Sequence, residues 1–188
     1  RKAGWTEGPG WSTPRRRFLI AATAWPVLAW AGAALGQAKK PPVLVAALGP
    51  DMLRLCGRLA DGTITWMGGI DYLRTVAVPT MSAAAAKAGR PAPRFVAMVP
   101  VLLTDDVDAG RETVNRVFQA YGQIPSYRAT LDRGGAATPA DVAVIGDRSA
   151  VSAGLKAFEA VGVTDFVAAI PAGAPGEQAT YEALAPLA

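Results

Sequence analysis

Val43-Leu44-Val45-Ala46-Ala47-Leu48-Gly49-Pro50-Asp51 is the stretch that decides the fold. Six apolar residues, β-branched at Val43 and Val45, form the short uninterrupted run expected of a parallel strand buried on both faces. Gly49-Pro50-Asp51 ends that run and opens a helix, because proline at the first helical position has no N–H to leave unsatisfied and aspartate suits the first turn. Met52, Leu55, Cys56 and Leu59 then fall on one helical face, and Asp61-Gly62 stops the helix. A strand passed directly into a helix is the opening of a β/α unit.

The pattern repeats along the chain. Thr63 to Met67 reads as a second strand, followed by Gly68-Gly69 and a helix through Ala88 that Pro79 is expected to kink or split. Arg94 to Leu103 is a third strand, ending in Thr104-Asp105-Asp106 before a helix over Ala109 to Tyr121 and a shorter one over Ser126 to Arg133. Val142 to Ile145 is apolar and precedes Gly146-Asp147 and a helix over Ala150 to Val161. Asp165 to Ile170 is a last strand, with a final helix over Glu177 to Leu187. This alternation predicts an α/β fold of about four parallel β/α units, a partial TIM-type (β/α)8 barrel over 43–188, with ligands at the carboxyl ends of the strands. A closed eight-stranded barrel takes about 250 residues, so residues 41–188 read as half of one.

Charge divides the chain in two. Residues 1–40 hold seven of the 19 basic residues and one of the 15 acids, so the body carries 12 against 14 and is slightly acidic. The overall charge of +4 therefore comes from the first segment and gives no reason to expect a nucleic-acid partner. Four of the five tryptophans also lie there. With no histidine in the chain, a Ser-His-Asp triad, a histidine base and the common zinc sites are excluded, and no metal site is expected. The single cysteine, Cys56, stands among Leu53, Leu55 and Leu59 as a buried structural thiol.

Within the first segment, Arg15-Arg16-Arg17-Phe18-Leu19-Ile20 sets a positive cluster before an apolar run to about Leu35, the order of a secretory signal. The paired arginines before Phe-Leu resemble the twin-arginine class. Gly36-Gln37-Ala38 supplies small residues for cleavage after Ala38, leaving 39–42 as a linker. The alternative is an uncleaved anchor over Phe18 to Gly36, the only contact with a membrane the sequence offers. Residues 1–14 read as upstream read-in or a truncated start. The leader, helical or disordered, predicts an exported or periplasmic product if it functions.

The body's motifs carry a family likeness. The Val-Ala-Ala-Leu-Gly-Pro-Asp-Met-Leu-Arg-Leu core after Leu44, the Ala60-Asp61-Gly62-Thr63 exit, Pro100 to Asp106, Tyr121 to Arg128 and Gly162 to Phe166 resemble, in order, the luciferase-like monooxygenase superfamily. The likeness is greatest to the branch using the deazaflavin coenzyme F-420, and it matches the carboxyl-terminal half of those enzymes. It implies a cytoplasmic barrel enzyme that transfers a hydride between the deazaflavin, or FMN as the alternative, and a small organic substrate. The matching cofactor positions are Ala46, Ala47, Leu48, Gly49 and Pro50 at one strand end and Thr65, Trp66, Met67 and Gly68 at the next. Catalytic residues are not identified by it.

Other residues have simpler readings. Asp105, Asp106 and Asp147 stand before helices as caps rather than acid/base carboxylates. Tyr121 and Tyr127 read as helix-packing residues. For Trp66, stacking on a flavin-like ring and core packing both stay open. Two further functions are set beside the oxidoreductase fragment. An exported solute-binding protein would account for the leader but not for the body's motifs. A fusion or truncated product without activity would join unrelated pieces near Pro41-Pro42-Val43. Half-barrels expose strand edges, so self-association as a possible homo-oligomer is expected.

Overall fold

The structure, a computed structural model, describes residues 40–187; the twin-arginine leader, its cleavage site and the anchor alternative lie outside them. Strands β1 (Leu44–Ala46), β2 (Gly62–Trp66) and β3 (Arg94–Leu103) are consecutive neighbours in a parallel sheet. Helix α1 (Pro50–Leu59) links the first two strands. Between β2 and β3 run α2 (Ile70–Tyr72), a π-helical turn over Leu73–Ala77 and α3 (Val78–Lys87). That wide turn is the split expected at Pro79. A ring with no N–H cannot donate back to Thr75, and the chain accommodates it with a Val78 N–H to Leu73 O bond one residue longer than the α-helical pattern.

After β3 come α4 (Val107–Val117), a 3₁₀ turn (Gln119–Gly122) and α5 (Pro125–Arg133). Strand β4 (Val144–Gly146), α6 (Arg148–Ala160), β5 (Asp165–Ala169) and α7 (Glu177–Leu184) complete the order. The predicted caps are present: Asp106 accepts from Ala109 N at 3.0 Å, and Asp147 from Ala150 N at 2.8 Å. The predicted helix over Ala109 to Tyr121 starts earlier and tightens after Val117 into the 3₁₀ turn.

Strand order adds one feature to a simple run of β/α units. Residues Arg94–Met98 of β3 pair β2 on one edge and Val96–Pro100 pair β5 on the other, through Val96 to Asp165 and Met98 to Val167. Strand β4 pairs only Val101–Leu103 at its end. The main ladder is therefore β1-β2-β3-β5, with β4 a three-residue addition. Beside β5, Arg94 grips the Asp165 carboxylate with two N–H groups at 2.7 and 3.2 Å, a bond that holds the guanidinium above its ordinary pKa despite partial burial.

The two faces of this ladder differ. Phe95, Ala97, Val99 and Val101 point toward the helices and form the main core with Leu53, Cys56, Tyr72, Met81, Val151 and Phe158. The other face carries Ala46, Ile64, Val96 and Asp165 in one row and Trp66, Met98 and Val167 in the next, as the register aligns them. Cys56 is buried, and burial pushes its thiol pKa up, as a structural cysteine requires.

Two close approaches fix the helices. At the α1–α3 crossing, a Cβ on Gly57 would lie 2.5 Å from Met81 O and 2.8 Å from Ala84 Cβ. At Gly176, φ is +92° and a Cβ would meet Leu103 O at 2.4 Å. There Thr180 Oγ1 accepts from Leu103 N at 2.9 Å and donates to Gly176 O at 2.7 Å, which ties α7 to the end of β3. Asp141 makes a comparable tie in the α5–β4 connection. It accepts from Ala137 N, Thr138 N, Thr138 Oγ1 and Arg111 on α4. Partial burial pushes its pKa up, but the bonds from Thr138 and Arg111 outweigh that and hold it below the usual carboxylate range.

Gly57→Ala should lower the unfolding free energy by about 1–3 kcal/mol, the cost of overpacking a tight contact, measured by urea denaturation. Because the carboxylate of Asp141 is depressed, its contribution is complete above the unfolded pKa near 4 and is lost as pH falls through the folded value. Asp141→Asn should therefore be less stable than the parent at neutral pH. Its unfolding midpoint should also fall less steeply on acidification, measured by denaturant titrations between neutral and acidic pH.

Candidate functional site

The carboxyl ends of β1 and β2 lie side by side. Ala46 is level with Ile64, and Ala47 N donates to Ile64 O at 3.3 Å, so Leu48 follows at the level of Trp66. Ala46 is exposed on the inner face, Ala47 is buried under the helices, and Leu48, Gly49 and Pro50 are half-buried. The Leu48 carbonyl accepts from the Tyr72 hydroxyl, which comes from α2, the helix that follows β2. Tyr72 has no exposed surface; burial raises its pKa to about 12, against a weaker opposing pull from Arg133. It therefore stays a neutral donor and fixes the turn between β1 and α1 from behind.

Gly49 stands at the N-cap of α1 with φ −88° and ψ 149°, a conformation open to any residue. A Cβ built there would find nothing within 4 Å. Neither backbone strain nor packing requires glycine at this position. The turn offers the first free N–H groups of α1 with no side-chain cap over them. Asp51 is exposed and paired with Arg54 at 2.5 Å, which offsets its negative charge beside that opening.

The second group divides by face. Thr65 is buried, and its hydroxyl donates to Val96 O at 3.4 Å, so its side chain serves the sheet. Met67 is buried with φ +60°, a rare conformation for a side-chain-bearing residue, and packs with Leu131, Ala136 and Val142. Gly68 is held close to Thr65, whose Oγ1 would be 3.1 Å from an added Cβ. Trp66 alone of this group turns its side chain to the inner face, at the level of Met98.

There Trp66 meets Phe118 and Tyr121 edge-to-face, with ring centroids 5.4 and 5.3 Å apart, and Tyr121 meets Tyr127 at 4.9 Å. Packing was the reading given to both tyrosines, and the rings are packed. Trp66 is held by their edges, and its Nε1 is buried without a hydrogen-bond partner among the described residues. A buried donor without an acceptor costs about 1–3 kcal/mol. Tyr72 and Phe118 were not singled out from the sequence. A phenol at the start of an apolar helix directly after the Gly68-Gly69 turn was the available signal for the first.

A separate hollow of about 450 Å³ lies between the start of α2, the end of α5, β4 and α6, lined by Gly69, Asp71, Gly135, Asp141, Ile145 and Phe158 among others. It touches none of the nine positions at the strand ends. Both of its aspartates are engaged, Asp71 with Arg74 and Asp141 with Arg111.

Comparison with known proteins bears on the whole described body. Two solved structures share the fold. An F-420-dependent secondary alcohol dehydrogenase in complex with an F-420–acetone adduct has a TM-score of 0.62 at 16% identity, covering 80% of this chain and 50% of its own. The coenzyme F-420-dependent tetrahydromethanopterin reductase of Methanopyrus kandleri has a TM-score of 0.55 at 17% identity, covering 79% and 50%. Uncharacterized proteins of Mycobacterium bovis and Mycobacterium tuberculosis are 31% identical over 101 residues, which is 50% of this chain and 30% of theirs. The chain thus spans about a third to a half of the proteins it matches. The family model for luciferase-like monooxygenases matches residues 7–180, starting inside the stretch read as a leader. The chain belongs to the luciferase-like monooxygenase family.

Proposed function

We propose that this chain binds coenzyme F-420 at the carboxyl ends of β1 and β2 and serves an oxidoreductase that exchanges a hydride with a small organic substrate. The observation that carries the reading is Gly49. It is a glycine that neither conformation nor packing demands, set against open space at the capless start of α1. A phosphate-bearing ligand would use that space, since free N–H groups at a helix start favour an anion and the lack of a side chain lets it reach the backbone. Trp66 turns its ring to the inner face at the level of the residue after the Ala46–Ala47 strand end, held by Phe118 and Tyr121. The F-420 dependence named for the two structures of the same fold is consistent with this choice. When bound, the deazaflavin supplies the hydride chemistry. The protein's part is to hold the tail at Ala46–Pro50, to keep that turn in place through Tyr72, and to offer the Trp66 ring as a wall.

Purified full chain should quench or shift F-420 fluorescence on titration. An absence of binding at high micromolar F-420 would remove this reading, and binding of FMN alone would transfer it to the flavin. Gly49→Ala should change the melting temperature little, because the added methyl enters open space, and should weaken F-420 binding at least tenfold, about 1.4 kcal/mol. Equal binding by this variant would place the cofactor elsewhere. Tyr72→Phe removes the only side-chain donor to Leu48 O among the described residues. It should cost about 1 kcal/mol of stability and raise the F-420 dissociation constant severalfold, read by denaturation and by the same fluorescence titration.

A further inference from the structure

The strand end that carries Trp66 holds a strained residue. Met67 has φ +60°, and among the described residues it is the only one besides glycine with a positive φ. That conformation is unfavourable for any residue with a Cβ, so it persists only where the surroundings over-determine it. The next two residues are glycines, for which a left-handed turn would be free, yet neither adopts one. Both are committed to close approaches instead. A Cβ on Gly68 would lie 3.1 Å from Thr65 Oγ1, and one on Gly69 would lie 2.6 Å from Val142 Cγ1. The chain therefore turns one residue early, at a side chain for which turning is costly.

What the early turn achieves is visible in the packing. Adjacent residues of an extended strand face opposite ways, so a continued strand would send Met67 to the face opposite Trp66. Met67 N still donates to Met98 O at 3.1 Å, which keeps Trp66 level with Met98 up to the turn. Beyond that bond, the left-handed step carries the Met67 side chain into a small cluster with Leu131, Ala136 and Val142, and Trp66, Phe118, Tyr121 and Tyr127 pack against this cluster. Leu131 comes from α5, and Ala136 and Val142 come from the connection to β4. Met67 is thus the one buried member of the cluster that directly continues a strand of the main ladder, and it joins the aromatic group to the sheet.

We infer that Met67 is a positioning residue: its strained backbone sets an apolar side chain beneath the aromatic residues and so holds the Trp66 ring at the carboxyl edge of β2. With no exposed surface of its own, it acts through that ring. The inference rests on the reading of this edge as the F-420 site, and adds to it the residue that fixes one wall. Two substitutions separate support from conformation. Glycine at 67 relieves the backbone but removes what the ring rests on, whereas leucine keeps the strain and an apolar side chain of similar volume. If the side chain is what counts, the strained leucine variant behaves as the parent and the relaxed glycine variant does not.

The indole N–H of Trp66, identified in the proton–nitrogen correlation spectrum of the full chain by its loss in Trp66→Phe, reports the hold on the ring without any cofactor. Its hydrogen exchange should be slow in the parent, where Nε1 is buried. Exchange should be at least tenfold faster in Met67→Gly and within about twofold of the parent in Met67→Leu. The F-420 dissociation constant, from the fluorescence titration, should follow the same order, raised at least tenfold by Met67→Gly and no more than about twofold by Met67→Leu. A parent indole that exchanges as fast as an exposed one would overturn the inference even if Met67→Gly did not fold. So would Met67→Gly with parental exchange or parental affinity, or Met67→Leu that behaves as the glycine variant. A parent that binds no F-420 removes the cofactor reading and with it the role of Met67 toward a ligand, whereas parental exchange in Met67→Gly removes the anchoring of Trp66 and leaves the cofactor reading standing.

Discussion

The structure depends on β3 being paired along both edges. Ten residues long, it is the only strand among the described residues that accepts three neighbours: β2 takes Arg94–Met98, β5 takes Val96–Pro100 and β4 takes the last three residues. Its sequence, Arg-Phe-Val-Ala-Met-Val-Pro-Val-Leu-Leu, is apolar at every position after the first, as a strand covered on both faces must be. Even its proline fits the constraint. Pro100 lies between the pairing with β2, which ends at Met98, and the pairing with β4, which starts at Val101, where one missing N–H is tolerated. Alternate residues Phe95, Ala97, Val99 and Val101 reach the helices, so one strand supplies both the ladder and the centre of the core.

From that constraint the position of the site follows. Strands held in one parallel register end at one edge, and each hands its chain to a helix there. The turns after β1 and β2 are neighbours for this reason alone, although Gly49 and Trp66 are 17 residues apart in sequence. What refines the neighbourhood is polar. Tyr72, buried among apolar side chains, has one place to send its hydroxyl proton, the Leu48 carbonyl, and so the helix after β2 steadies the turn after β1. Trp66 faces inward because the register puts it in the row of Met98 and Val167, and the aromatic residues after α4 then close on its edge.

Much of this was legible in the residues, for physical reasons that also mark the limits. Strands announced themselves because buried parallel strands are continuous apolar runs, and helices because Pro50, Asp106 and Asp147 are start signals that work locally. The same continuity hid which face each strand turns to the helices: with apolar residues on both sides there is no alternation to read, so Thr65 and Trp66 looked equivalent although one bonds inside the sheet and the other lines the inner face. Strand order was hidden too. Nothing in Val144-Ile145-Gly146 says that its pairing stops after three residues and that Asp165 to Ala169 takes the long edge of β3. The π turn before Pro79 was foreseen as a break, whereas its wide geometry comes from where the carbonyl of Leu73 finds a donor. Tyr72 escaped notice because its importance lies in a partner 24 residues away.

Glycines separate structural need from openness. At Gly57 and Gly176 an added methyl would strike backbone at 2.5 Å or less, and the fold accounts for them completely. Gly49 meets nothing, adopts an ordinary extended conformation and still leaves the strand-to-helix turn bare. The hollow beside β4 is a weaker candidate than this open turn. Its two aspartates are already paired with arginines, whereas the start of α1 keeps N–H groups without a side-chain cap beside the open space at Gly49. Ligands are recruited by groups that folding leaves unpaired. In this chain such groups gather at the carboxyl edge of β1 and β2, at the start of α1.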